Sequence, residues 1–188
     1  MAKNPLYAGG FTIVELMTTL AIAAILAAIA APSFTAIIQD NRLVTQVNEL
    51  QASIALARSE AIKLNNNVTV CRSSNGSSCT GNWQNGWIVF SDNDFDGVFD
   101  AADLDTLLRV HGPISAGNSI TFTQNRVIYN GSGLVRGSSD GIFTVCDDRG
   151  ATSAKAIIIS TTGRARLAID SNANNIVEDD SGTDVTCP

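Results

Sequence analysis

The chain has 188 residues, 12 basic against 18 acidic side chains, a formal net charge of −6 and 45% apolar residues. That length holds one domain, or one domain plus an anchor. The acidic balance excludes a general affinity of the whole molecule for nucleic acid or anionic lipid, so any polyanion site must be a local basic patch.

Residues 1–10 are polar, carry one Lys and end in Gly9-Gly10. From Phe11 to Ala31 there are 21 residues of which Glu15 alone is charged. About 20 helical residues cross the hydrocarbon core of a bilayer. A carboxylate inside such a span costs about 3 kcal/mol on insertion scales unless something neutralises it. Pro32 follows, and its missing donor predicts a bend. From Ser33 the pattern is amphipathic: Val47, Ile54 and Ala61 recur every seven residues, as do Leu43, Leu50, Ala57 and Leu64. They form one apolar stripe, with Asp40, Arg42, Gln46, Glu49, Arg58 and Lys63 elsewhere around the helix. Asn65 to Asn67 stop it, so Phe11–Leu64 predicts a helix of roughly 80 Å.

Beyond Asn67 the chain reads as strand and turn. β-rich runs lie at 68–71, 86–90, 107–111, 119–123, 126–130, 141–145, 155–160 and 164–169, punctuated by Gly, Asn, Ser and Asp. The fold class is α+β: a long N-terminal helix packed on an antiparallel meander. Trp83 and Trp87 flank a turn and are expected to pack under the sheet. Cys71, Cys79, Cys146 and Cys187 show no CxxC spacing. An even count in an exported domain points to two disulfides, and four cysteines allow three pairings. We favour Cys71–Cys79, closing a short Ser/Gly/Asn loop, and Cys146–Cys187, pinning the C-terminal tail, with the other pairings left open. Zinc is the alternative, but one His and no clustered ligands disfavour it.

Ala28-Ile29-Ala30 could be cut as an ordinary secretory signal. Glu15 inside the apolar region and the helix continuing past Pro32 speak against that reading. Gly10 followed by Phe-Thr-Ile-Val-Glu-Leu instead resembles the leader of type IV pilins and type II secretion pseudopilins. The resemblance implies that a prepilin peptidase cuts between Gly10 and Phe11 and methylates the new amine. It also implies that Glu15 pairs with the Phe11 amine of a neighbouring subunit during assembly. Two charges that are costly alone in lipid become tolerable as a pair. The implied organisation is a leader at 1–10, a transmembrane and assembly helix at 11–32, an amphipathic helix at 33–64 and a β-rich periplasmic domain at 65–188. The anchor would lie in the bacterial inner membrane, and after assembly the domain would stand on a pilus or pseudopilus.

Three stretches, 55–71, 85–111 and 160–169, resemble the minor pilins and pseudopilins of the FimT/FimU/GspH family. The implied partners are the prepilin peptidase and other minor or major pilins or pseudopilins. The implied function is a minor pilin that primes assembly of a type IV pilus, with a GspH-type pseudopilin of type II secretion as the alternative. The last stretch carries Gly163, Arg164 and Arg166, similar to a Gly-Arg-x-Arg motif that binds DNA in FimT-type proteins of transformable bacteria. On a strand, two such arginines share a face about 7 Å apart, near the spacing of successive phosphates on one DNA strand. Lys155, Arg149 and Arg136 are candidates to widen that patch for double-stranded DNA. The competing reading pairs the arginines with nearby acids, since Asp170, Glu178, Asp179 and Asp180 follow closely.

Residues 92–103 fit the opening of an EF-hand loop: Asp92, Asp94 and Asp96 alternate, Gly97 follows, and Asp100 and Asp103 fall at positions nine and twelve. An Asp at position twelve and strands on both sides depart from that motif. A solvated acidic turn is therefore the favoured reading, and calcium the alternative; no other cofactor is expected. Residues 170–180 are a weaker echo. No catalytic pattern is present, and His111 reads as a turn residue, so the chain is not expected to be an enzyme.

Overall fold

The computed structural model describes residues 10–188, so the leader up to Gly9 lies outside the described residues. Helix α1 runs Ile13–Leu64 and continues helical through position 32. Its start is capped by Thr12, whose hydroxyl accepts from the Glu15 amide at 3.2 Å. Within the apolar stretch the Thr18 and Thr19 hydroxyls donate to the Glu15 and Leu16 carbonyls, at 3.0 and 2.9 Å. These polar groups need no water, as a helix in lipid requires.

The chain divides into two compact units, one ending at Gln39 and the other spanning Asp40–Pro188. In the first, the described residues are helical from Ile13 and their large apolar side chains are exposed, Phe11 by 82% and Ile29 by 69%. In the second, the rest of α1 lays Leu43, Val47, Leu50, Ile54, Ala57 and Ala61 into the core, all buried. Leu64, expected on that stripe, is exposed, because the helix stops there and Asn65 turns to a positive φ of 48°. Gln46, expected on the polar side, is buried beside the stripe, where its Oε1 accepts from Asn118 Nδ2 at 2.8 Å.

Eight strands follow: β1 (Asn67–Arg72), β2 (Trp87–Asp92), β3 (Thr106–His111), β4 (Ser119–Thr121), β5 (Arg126–Tyr129), β6 (Gly141–Cys146), β7 (Lys155–Ile159) and β8 (Ala165–Leu167). They form two antiparallel sheets, ordered β3-β2-β1-β5 and β4-β6-β7-β8. This departs from a single meander: after β3 the chain enters the second sheet with β4, returns to place β5 on the free edge of β1, and leaves again for β6. Sequence alternation marks strands but not partners, so this exchange was invisible to it. The register Val70↔Val127 and Val70↔Val89 puts three valines side by side on the inner face of the first sheet. From the second sheet Ile120, Phe143, Val145, Ile157 and Ile159 point into the same core.

Trp83 is buried edge-on against Phe143, ring centroids 4.8 Å apart, and its indole N–H donates to the Gln124 carbonyl at 3.0 Å. Trp87 is also buried and stacks on His111 at 3.8 Å. His111 is therefore more than a turn residue: it ends β3, and its Nε2 lies 3.0 Å from Glu49 Oε2, joining the strand to α1. The disulfides are Cys71–Cys79 and Cys146–Cys187, with Cα separations of 5.5 and 5.9 Å. Each lies in a small core on an outer sheet face: Cys71 with Ile88 and Phe90, Cys146 with Ala156 and Val185.

Candidate functional site

Strand β8 is held by β7 in the register Ile159↔Ala165, Ile158↔Arg166 and Ile157↔Leu167. Ala165 packs on the main core, so strand alternation sends Arg166 to the opposite face, while Arg164 immediately precedes the strand. Gly163, just before the strand, is buried at φ +78°, and a Cβ there would meet the Gly133 carbonyl oxygen at 2.0 Å. Its place in the motif thus has a backbone reason. Arg58 ties the same corner down, donating from Nε to the Gly133 carbonyl at 3.0 Å and from Nη2 to the Thr162 carbonyl at 3.3 Å.

The two arginines differ. Arg164 is exposed and makes no ion pair among the described residues, whereas the Arg166 guanidinium pairs with Asp180 from the C-terminal tail. A cleft over Ile158, the neighbour of Arg166 across the ladder, is lined by Asp140, Asp179 and Asp180. Arg149 is not free either: Nη2 lies 2.8 Å from Asp40 and 2.7 Å from Asp147. Arg136 stands over the Phe95 ring, 5.6 Å from its centroid. Lys155 is exposed at the start of β7, three residues along that strand from the partner of Arg166. The basic residues picked from the sequence are thus split three ways: Arg164 and Lys155 are exposed, Arg136 stands over an aromatic ring, and Arg166 and Arg149 are held by acids.

The loop from β2 to β3 gathers Asp92, Asp94 and Asp96, which each offer one oxygen within 4.8 Å of the others. Asp92 is fully buried at the end of β2; its Oδ2 accepts from the Thr69 hydroxyl at 3.0 Å and the Gly97 amide at 3.1 Å. Burial raises the Asp92 pKa above the ordinary carboxylate value, against those two hydrogen bonds and with the charges of Asp105 and Asp96. Asp100 and Asp103 lie outside this group, in a short 3-10 turn where Asp100 Oδ1 accepts from the Ala102 amide at 2.8 Å. Desolvation, then the charges of Asp100, Asp94, Asp105 and Asp96, raise the Asp103 pKa as well.

At the other end of the chain Gly10, Phe11 and Glu15 are exposed, Glu15 in the first turn of α1. A model of the prokaryotic N-terminal methylation motif matches residues 7–31, which contain all three. A second model, the type II transport protein GspH, matches residues 46–163, from the buried helix stripe to the glycine before β8. The chain belongs to the GspH family. Membership makes it a minor pilin or pseudopilin, a structural rather than enzymatic class that is anchored by its N-terminal helix and associates with other pilins.

Two crystal structures of the type IV minor pilin FimU of Pseudomonas aeruginosa share the fold of this GspH-family chain. The first is 21% identical, with a TM-score of 0.56, covering 73% of this chain and 96% of FimU. The second is 19% identical, with a TM-score of 0.53, covering 71% and 98%. No curated protein matches the chain significantly. Residue-level reading named Asp180 among four candidate acids for the two arginines without singling it out, and it missed the other partners. Asp180 holds Arg166, Asp40 and Asp147 hold Arg149, and Thr69 supports Asp92. Only Thr12 had a local signal, a Thr three residues before an acidic residue at a helix start.

Proposed function

We propose that the chain is a minor pilin of a type IV pilus, cut after Gly10 and recruited through Phe11 and Glu15 to prime assembly. Its β-rich domain then faces the periplasm from an inner-membrane anchor. The observation that carries this reading is Glu15. It stands in the first turn of an exposed apolar helix and has no ion pair among the described residues. A bare carboxylate at that depth needs a counter-charge. Cleavage after Gly10 creates an amine one turn away, on Phe11 of this or a neighbouring subunit. Glu15→Ala is expected to be cleaved normally yet to fall by about tenfold or more in sheared pilus fractions, the scale set by an unpaired charge in lipid. Equal incorporation of Glu15→Ala and wild type would sink the pairing.

A type II secretion pseudopilin is the second reading, favoured by the match to the GspH model itself. Deleting the pilus genes and the secretion genes separately separates the two, because the chain should lose its filament in only one background. DNA uptake rests on Arg164, the exposed arginine immediately before β8. Full-length protein in nanodiscs should bind short duplex DNA in a salt-sensitive way and lose that binding in Arg164→Ala. Asp180→Asn should strengthen it by freeing Arg166. Each phosphate contact adds about 0.9 to the salt slope. Absence of binding at low salt in wild type and in Asp180→Asn would remove the DNA role.

A further inference from the structure

We infer that the loop between β2 and β3 is a calcium site built on Asp92, Asp94 and Asp96. The decisive atom is Asp92 Oδ1: the residue is fully buried, and this oxygen has no hydrogen-bond partner. The contrast with Asp105, the other buried carboxylate of the loop, is instructive. Asp105 Oδ1 accepts from the Asn93 amide at 2.9 Å and Oδ2 from the Asp100 amide at 3.1 Å, so its capacity is used in tying the loop shut. Asp92 instead places both of its donors, the Thr69 hydroxyl and the Gly97 amide, on Oδ2. A buried carboxylate oxygen left without a donor carries a desolvation cost, which a cation meeting it would relieve.

The surroundings supply further ligands, and the bordering cations leave the carboxylates unpaired. Asp94 and Asp96 each use Oδ1 on a backbone amide, those of Asp96 (3.4 Å) and Val98 (2.6 Å). Each of the three carboxylates nevertheless brings one oxygen to within 4.8 Å of the other two. Residues 92–105 contain six aspartates and no basic residue. Two guanidiniums border the loop, Arg126 donating to the Asp96 backbone carbonyl at 2.9 Å and Arg136 standing over the Phe95 ring, yet no ion pair reaches any of the six among the described residues. Gly97 at φ +72° makes the sharp turn that lets three alternating carboxylates converge. Alternating carboxylates at an all-oxygen turn select a hard divalent cation, and flexible side chains accommodate calcium better than the strict octahedron of magnesium. The departures read from the sequence then make sense: position twelve is replaced by a short helical turn, and the site closes on the first half of the loop and strand β1.

The inference does not depend on which filament the chain enters. Its test is a calcium titration of the full-length chain in detergent after chelation, followed by calorimetry and thermal unfolding. Wild type should bind one calcium with a dissociation constant of about 0.1–1 mM, as extracellular calcium modules do, and its Tm should climb with calcium concentration. Asp94→Asn with Asp96→Asn leaves buried Asp92 and its hydrogen bonds intact, and should weaken binding by about tenfold or more. Asp180→Asn, in the C-terminal tail, should leave the titration unchanged. No heat and no Tm shift at millimolar calcium in wild type would overturn the site. So would an unaltered titration in the double variant.

Discussion

Gly163 shows how one residue can be read two ways. As part of a Gly-Arg-x-Arg pattern it suggests a DNA contact; in the fold it is a buried glycine at φ +78° against the Gly133 carbonyl. Gly163→Ala should therefore cost about 2 kcal/mol or more in denaturant unfolding, even with no DNA present. Tyr129 packs on the same corner, 3.1 Å from where that Cβ would sit. Burial pushes its phenol up to about 12. A raised folded pKa means that the stabilisation is complete below the unfolded value of 10.0 and fades as pH rises from there through about 12. In the form cut after Gly10, Tyr129 is the only tyrosine, so a phenolate absorbance titration reads it directly; ionisation complete by pH 10 would contradict its burial. Asp147 has the opposite sign. Burial raises its pKa, but two side-chain bonds from Arg149, at 2.7 and 2.9 Å, more than offset this and hold it below the ordinary value. That contribution is present above pH 3.8 and lost as pH falls through the lowered pKa. Asp147→Asn should cost about 1.5–3 kcal/mol at neutral pH and flatten the acid limb of the stability profile.

At the scale of elements, the helix stripe and all eight strands were legible, because apolar periodicity records burial directly. Leu50→Ala, at the centre of the stripe, should destabilise by about 3 kcal/mol in chemical denaturation. The disulfides invite a ranking. Cys146–Cys187 closes a separation of 41 residues and Cys71–Cys79 only 8. Loop entropy then predicts about 4 kcal/mol lost on replacing the first pair with serines and about 2.5 kcal/mol for the second. Equal losses in urea titrations would show that strain or residual structure, not loop length, governs them. Legibility stopped where partners lie far apart in sequence. Arg166 and Asp180 are separated by 14 residues and Thr69 and Asp92 by 23, and no local pattern announces which acid a cation will meet or which hydroxyl will support a carboxylate. The motif gave Arg164 and Arg166 equal standing; the tail made them unequal.

For the whole molecule, the charge of −6 is unevenly spread. Six aspartates crowd the 92–105 loop, and more line the cleft over β7, so exposed Arg164 and Lys155 sit in a negative background that salt will screen. The sheet exchange has a different reach. Because successive strands β3, β4, β5 and β6 alternate between the two sheets, neither sheet is a continuous piece of chain. Neither can peel away, refold or be swapped between neighbours on its own without dragging the other's strands with it. Amide exchange under native conditions should therefore give β1 and β7, the interior of each sheet, the same opening free energy. Protection that differs between them by more than about 1 kcal/mol would mean that the interleaving fails to bind the two halves into one cooperative body.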